Sequence, residues 1–476
     1  MVITPKAFLI GGDWVSSALS LEIKNPYTHE PSGSYFQATP DQVEQAFQSA
    51  QEAFERNREL TPAARALFLS EVAAVIKRRS QEFVDLLIRE AGKPVIQAET
   101  EVARAQSTFF FAAAECLQPN GELIALDGSE WGKKHAGSVR RLPIGVIFGI
   151  TPFNFPLNLV AHKVAPALAA GNSIVIKPSP RTVLTALLLA ESLQEAGVPA
   201  GLVNIVPFDV GLMDRYYNDD RVKMISFTGS AAVGWKIKEK CNTKKVCLEL
   251  GGNAAAIVHS DAEWQSKIAS IANGAFGYAG QSCISIQRVY VQSEIYGAFR
   301  DALVGYVKDK VKTGDPRKRE TVIGPMIAPE AVQKLAKWVD QAVAAGAKLV
   351  TEKTIDGQCV GPIVLEQVPE DQPISCEEAF APVVLLEPYG DFADAIAKVN
   401  HSRWGMQAGV FTGDLKLAYQ AYESLDVAAV LINQVPTFRV ENMPYGGIKL
   451  SGFGREGVKY AMEEMTERKT LIVNYA

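Results

Sequence analysis

The stretch Ile144–Lys177, IGVIFGITPFNFPLNLVAHKVAPALAAGNSIVIK, holds two short apolar runs, GVIFGI and SIVIK, on either side of a proline-bracketed turn and a helical stretch. Runs this short and this apolar suit strands buried on both faces. The pattern recurs in LVNIV, MISF and KVCLEL, each followed by turn or helical residues. Gly197 and Pro199 punctuate the end of a helix that starts near Thr182. Strands alternating with helices predict an α/β fold with a parallel sheet, whose ligands bind at the carboxyl ends of the strands.

Outward from this core the reading is coarser. Residues 42–56, 61–92 and 95–117 carry apolar residues at helical spacing, the last including Phe109, Phe110 and Phe111. Gly121–Arg141 is polar and reads as a protruding hairpin. A second α/β series begins near Gly251, with AAAIV, a helix over 262–278, RVYVQ and a helix over 295–312. GPIVL, PVVLLE, AGVFT and AVLIN supply its later strands. The terminal TLIVNYA suits either a strand added to a partner's sheet or an ordinary edge strand.

At 476 residues the chain predicts more than one domain. With 47% hydrophobic and 21% charged residues and a net charge of −5, nothing points to nucleic acid or an anionic membrane as partner. The start MVITPKAFLIGGDWV lacks a secretory signal's basic head and long apolar run, and no apolar stretch approaches the roughly 20 residues of a membrane span. A cytoplasmic location follows as the expectation. Cysteines 116, 241, 247, 283, 359 and 376 are scattered, which predicts reduced thiols and no metal site.

Five local signals bear on chemistry. FTGS, Phe227–Ser230, with Gly234 beyond it, joins a strand to a helix N-terminus, where free N–H groups and the helix dipole attract anions. Its spacing departs from the usual dinucleotide fingerprint, so it equally suits a tight connection. Lys177 ends a strand, within reach of a ribose or phosphate, or simply solvated. Cys283, in GYAGQSCISIQR, has small neighbours that would let a ligand approach its thiol. Glu249 closes the apolar run KVCLEL before Gly251 and Gly252; burial would raise its pKa and make it a general base, whereas an exposed strand end would not. Asn154, held in TPFNFP, offers an amide to a developing oxyanion or merely forms a turn.

The order TPFNFP, KPS, FTGS, LELGG, GQSC, EEAFAPV and PYGGIKLSGFGRE resembles the aldehyde dehydrogenase superfamily from about Pro26 to Asn474. The resemblance implies a Rossmann-type cofactor domain (1–120 and 142–249), an α/β catalytic domain (250–449) and a β-arm for oligomerisation (121–141 and 458–476), assembled as homodimers or homotetramers. It implies that Cys283 is the nucleophile, that Asn154 helps form the oxyanion hole and that Glu249 activates the deacylating water. Lys163 would support the oxyanion region and Glu456 a proton relay. NAD or NADP would be held by Thr151, Pro152, Phe153, Lys177, Ser179, Pro180, Thr228, Gly229, Ser230, Leu250, Glu378 and Phe380.

Three positions depart from the family pattern. Pro180, followed by Arg181, stands where many NAD-preferring relatives carry an acid, which opens NADP use. Ala381 replaces a usual glycine, and His162 stands where several relatives carry a tunnel aromatic. Phe155, His162, Arg104 and Arg439 are the candidate substrate contacts, and the ending VPTFRVENMPYGGIK most resembles lactaldehyde and semialdehyde enzymes. A small hydroxy- or anionic aldehyde is the expected substrate; Arg104, Arg439 and Arg288 equally suit structural ion pairs or helix caps, Arg288 above all. The alternatives are a hydrophobic aldehyde, read from Phe155 and the Phe109–Phe111 run, a coenzyme A-acylating enzyme, and a catalytically silent scaffold.

Overall fold

The computed structural model describes residues 4–475; the tips of the N-terminal segment and of TLIVNYA, residues 1–3 and 476, lie outside the described residues. Each α/β series builds one twisted sheet. The first has eight strands in the order Asp13–Val15, Phe8–Ile10, Val203–Ile205, Ser173–Lys177, Val146–Ile150, Val222–Thr228, Lys245–Glu249 and Gly452–Phe453. Its five strands from Val203–Ile205 to Lys245–Glu249 are mutually parallel, and antiparallel strands close both edges.

Val146–Ile150 comes first in sequence among these five and lies in the middle, so the strand order reverses beside it. Chains leave this point in opposite directions and open a crevice beyond the strand ends. Ile150 lies level with Lys177 on one side and Phe227 on the other, which lines up Thr151, Lys177 and Thr228 along that edge.

The second sheet has seven strands, in the order Lys348–Leu349, Ile363–Glu366, Val383–Tyr389, Ile286–Gln292, Ala254–Val258, Gln407–Phe411 and Ala429–Ile432. Only three residues separate the end of one sheet at Glu249 from Asn253 at the threshold of the other. The carboxyl edge of the first sheet therefore faces the amino edge of the second. Separate apolar cores support the two sheets.

The helices follow the apolar spacing, with breaks that spacing alone does not mark. Residues 61–92 form two helices, Pro62–Arg78 and Ser80–Ala91, because Arg79 leaves helical geometry and turns its guanidinium to Glu82 and Glu191. The helix expected over 262–278 is regular only over Ile268–Phe276. Asn158–Ala170 is buried along its whole length. Such a helix needs its N-terminal N–H groups satisfied from within the protein. Glu101 of the Val95–Glu115 helix does this, accepting from the Leu157 and Asn158 N–H groups at 2.9 and 3.1 Å.

The hairpin is Gly121–Ile124 with His135–Pro143, and Thr466–Asn474 pairs with it in the same chain, from Thr466↔Pro143 to Asn474↔His135. Thr466–Asn474 thus forms the edge strand of its own chain's three-stranded arm. The Val458–Glu464 helix, expected in the arm, packs on the first core, since Val458 and Met465 are buried there. Among the described residues no helix is long and apolar enough to cross a membrane.

Candidate active site

A cavity of about 380 Å³ opens where the two sheet edges face each other. The first sheet contributes Pro152–Phe155, Thr228–Ser230 and Glu249–Gly251; the second contributes Ser282–Ile284, Glu378 and Phe380. The buried helix adds His162, the Val95–Glu115 helix adds Arg104, and the returning chain adds Arg439, Tyr445 and Glu456. The cavity thus gathers sixteen of the residues singled out in the sequence. Lys163, Thr151, Lys177, Ser179 and Pro180 do not line it.

Cys283 is delivered by an unusual backbone. Tyr278, Ala279 and Gly280 all adopt left-handed conformations, with φ of 53°, 55° and 65°. For side-chain-bearing residues this costs about 1–2 kcal/mol each, a strain that surrounding structure must hold. Gly252 permits the approach from the other side: a Cβ there would fall 2.2 Å from the Cys283 carbonyl oxygen. Burial pushes the Cys283 thiol up to about 12, against a hydrogen bond with the Tyr445 hydroxyl at 3.1 Å.

Asn154 is buried and gives one amide N–H to the Gln281 carbonyl at 3.1 Å, leaving a second donor on the same nitrogen. Its backbone is fixed by a group the sequence reading passed over. Lys93, fully buried beneath the Phe155 and Tyr278 rings, donates to the Asn154 carbonyl at 2.7 Å and pairs with Glu101. Burial lowers the Lys93 ammonium to about 8, against the pull of Glu101. A lysine eight residues before a glutamate, with Gly92 and Pro94 around it, was the available signal.

Glu249 ends its strand buried, and neither carboxylate oxygen has a hydrogen-bond partner among the described residues. Burial raises its pKa well above the ordinary carboxylate value; the nearby Glu456 adds to this, against Arg439 and Lys163. Gly446, with φ of 150°, passes so close that a Cβ would lie 2.9 Å from Glu249 Oε1.

A charge network closes the far wall. Glu456 meets Lys163 at 3.1 Å and Arg439 at 3.3 Å, and Lys163 also donates to Ser226 and Thr228. Lys163 thus ties Glu456 to the end of the Val222–Thr228 strand. Burial opposes the charged form of Glu456, yet Lys163 and Arg439 hold it well below the usual range. Arg439 can only donate, so His162 Nδ1 accepts from it at 3.0 Å, and Nε2–H donates to Glu441 at 2.5 Å.

Glu441 also takes Arg104 Nε at 2.7 Å. It escaped the sequence reading, in which it is one acid among the loop residues VENMP. Arg104 Nη2 and Arg439 Nε are buried and unpartnered among the described residues. Arg288 stays outside the cavity, bound to the Asn253 and Lys398 carbonyls and Tyr290. Of the aromatic run, Phe109 is core, Phe110 is 60% exposed, and none of the three lines the cavity.

Glu378 forms the opposite end of the cavity. Glu378 reaches the cavity with one oxygen on the Gly252 N–H at 3.0 Å, and burial raises its carboxyl to about 7. Gly251 keeps the passage open, because a Cβ there would lie 2.6 Å from Glu378 Oε2. Lys177 lies further along the same sheet edge, largely buried, its ammonium 5.7 Å from the centre of the Phe208 ring. Ser179 turns its hydroxyl to the Arg181 N–H at 3.3 Å, and Pro180 is exposed.

Comparison with known proteins completes the description. The sequence model of the aldehyde dehydrogenase family matches residues 14–471. A 3-sulfolactaldehyde dehydrogenase of Priestia aryabhattai is 38% identical over 466 residues, 98% of this chain and 97% of that protein. Aldehyde dehydrogenase 21 from Physcomitrella patens, solved with the reaction product succinate, is 40% identical with a TM-score of 0.97, covering 99% of both chains. An NADP-dependent glyceraldehyde-3-phosphate dehydrogenase from Bacillus halodurans, solved with NADP, is 31% identical with a TM-score of 0.96, covering 99% of this chain and 100% of that one.

Proposed function

The chain belongs to the aldehyde dehydrogenase family, and we propose that it oxidises a small aldehyde bearing an anionic or hydroxylated far end, with Cys283 as nucleophile. The carrying observation is a single cavity lined by Cys283, Asn154 and the unpartnered Glu249 together with the Arg104 and Arg439 side chains. Sulfolactaldehyde and succinate, on which two relatives act or which they release, both carry such an anionic end.

Cys283 attacks the carbonyl carbon as thiolate, giving a thiohemiacetal whose oxyanion takes the free Asn154 N–H. Bound NAD or NADP supplies the hydride acceptor. Glu378 would receive the ribose hydroxyls, and the N–H groups at the start of the Ala231–Lys240 helix would receive the phosphates. Loss of hydride leaves a thioester on Cys283. Glu249 takes a proton from water as it attacks the thioester carbon, and the acid departs with the sulfur freed. The negative charge of Glu456 favours the protonated form of Glu249, which raises its strength as a base. Glu249 favours hydrolysis over acyl transfer to coenzyme A.

Arg104 Nη2 and Arg439 Nε bind the substrate's far end, with His162 completing the wall. The test compares kcat/KM for an aldehyde with a terminal carboxylate against an uncharged one of equal length. A hydrogen bond to a charged group contributes about 1.5–3 kcal/mol, so Arg104→Ala should cost the carboxylate substrate about 10- to 100-fold and spare the other. Equal losses on both would refute the anionic reading, and full turnover by Cys283→Ala would refute the nucleophile. Strongly exposed apolar side chains on the arm, Leu123 at 89% and Trp131 at 93%, favour burial against further copies, as a homodimer or homotetramer. Six free cysteines suit a cytoplasmic setting.

A further inference from the structure

The sulfur of Cys283 has one polar side-chain neighbour within hydrogen-bonding distance among the described residues, the Tyr445 hydroxyl at 3.1 Å. We propose that Tyr445 is a fixed hydrogen-bond donor to the Cys283 thiolate and sets the fraction of enzyme ready to attack an aldehyde. This rests on the reading of Cys283 as nucleophile.

A thiol can donate or accept, but a thiolate only accepts, so the partner must be a donor when the sulfur is charged. Tyr445 meets that requirement in three ways. Its ring is packed with Ile284 and Met406 in the small apolar cluster that Cys283 joins. Its backbone is tied twice to Glu456, donating to the Glu456 carbonyl at 2.9 Å and accepting from the Glu456 N–H at 2.7 Å. The Arg439 guanidinium lies 3.5 Å over the ring centre, where a cation draws electron density from the phenol and strengthens its O–H as a donor.

The charged groups around the pair leave Tyr445 the leading influence in favour of thiolate. Burial disfavours the charged sulfur most, and the Glu378 and Glu249 carboxylates add to that; the Tyr445 hydrogen bond opposes first, then Arg439. Burial also keeps the Tyr445 phenol protonated, its pKa well above the ordinary value, with Cys283 and Glu249 acting in the same direction. When the thiolate forms, the Cys283 proton passes to solvent and Tyr445 keeps its own.

The test follows alkylation of Cys283 by iodoacetamide in cofactor-free enzyme at fixed pH, read by mass spectrometry of the Cys283 peptide. Loss of the donor in Tyr445→Phe should raise the thiol pKa by about one unit, leaving about tenfold fewer thiolates. Each remaining thiolate is more nucleophilic by about threefold, so the net alkylation rate should fall about threefold. 3-Fluorotyrosine at position 445 keeps the shape but donates more strongly, and should lower the thiol pKa, displacing the pH–rate curve for alkylation to lower pH. Unchanged pH–rate curves for both variants would overturn the proposal. If Cys283→Ala is dead while Tyr445→Phe matches the parent enzyme in both alkylation and turnover, the Tyr445 role alone fails. Turnover by Cys283→Ala would instead remove the nucleophile on which it rests.

Discussion

Glu249 combines full burial with two unpartnered oxygens, and that sets both its chemistry and its effect on stability. Its folded pKa is raised, so the folded state binds the proton more tightly than the unfolded chain does. The resulting stabilisation is complete below the ordinary carboxylate pKa and is lost as pH rises through the folded value. Glu249→Gln should therefore melt higher than the parent at pH 8 in calorimetry. Its steady-state acid production should fall by about 100- to 10,000-fold, while stopped-flow absorbance still shows a burst of reduced cofactor. Asn154→Ala should lower kcat by about 100- to 1000-fold, suppressing the burst rate as well. At the cofactor's other end, Pro180→Glu should reduce kcat/KM for NADP by about tenfold, roughly 1.4 kcal/mol, with little change for NAD. Local signals left Cys283, Glu249 and Asn154 open, and the order of the motifs around them drew attention to the three residues that the cavity gathers. Glu441 and Tyr445 were not, since their significance comes from His162, Arg104 and Cys283, which are distant in sequence.

At the scale of elements, the Lys93–Glu101 pair joins the Val95–Glu115 helix to the Asn154 turn and to the start of the buried helix. One ion pair thus fixes three backbone groups around the oxyanion donor. Removing one partner of a buried pair leaves the other uncompensated, at about 3–5 kcal/mol. Lys93→Met should accordingly lower the denaturation midpoint strongly, and adding Glu101→Gln should restore part of the loss; equal midpoints for the single and double variants would exclude the coupling. The strands were readable from sequence because double-sided burial makes each a continuous apolar run. The helix break at Arg79 and the left-handed turn at Tyr278–Gly280 were not. Arg79 answers to Glu191, far along the chain, and the turn is held by the Tyr278 hydroxyl on the Ala91 carbonyl and by Ala279 in the second core.

For the whole molecule, the two α/β series and the protruding hairpin were legible, and where the last helix packs was not. Composition does not mark where Val458–Glu464 leaves the arm for the first core. The C-terminal strand covers one side of the hairpin and carries Leu471, Ile472 and Val473 exposed. A chain ending at Met465 should lose its association and sediment at the mass of one chain; an unchanged sedimentation coefficient would place the interface elsewhere. The Gly452–Phe453 strand has a further consequence. It is made long after the Lys245–Glu249 strand whose open edge it covers, and it is followed by Glu456 of the cavity wall. A growing polypeptide on the ribosome therefore holds a sheet with one raw edge, the kind of surface that recruits stray strands. Release before Gly452 leaves that edge open and the cavity wall without Glu456, and should yield an inert, aggregation-prone fragment rather than a weak enzyme.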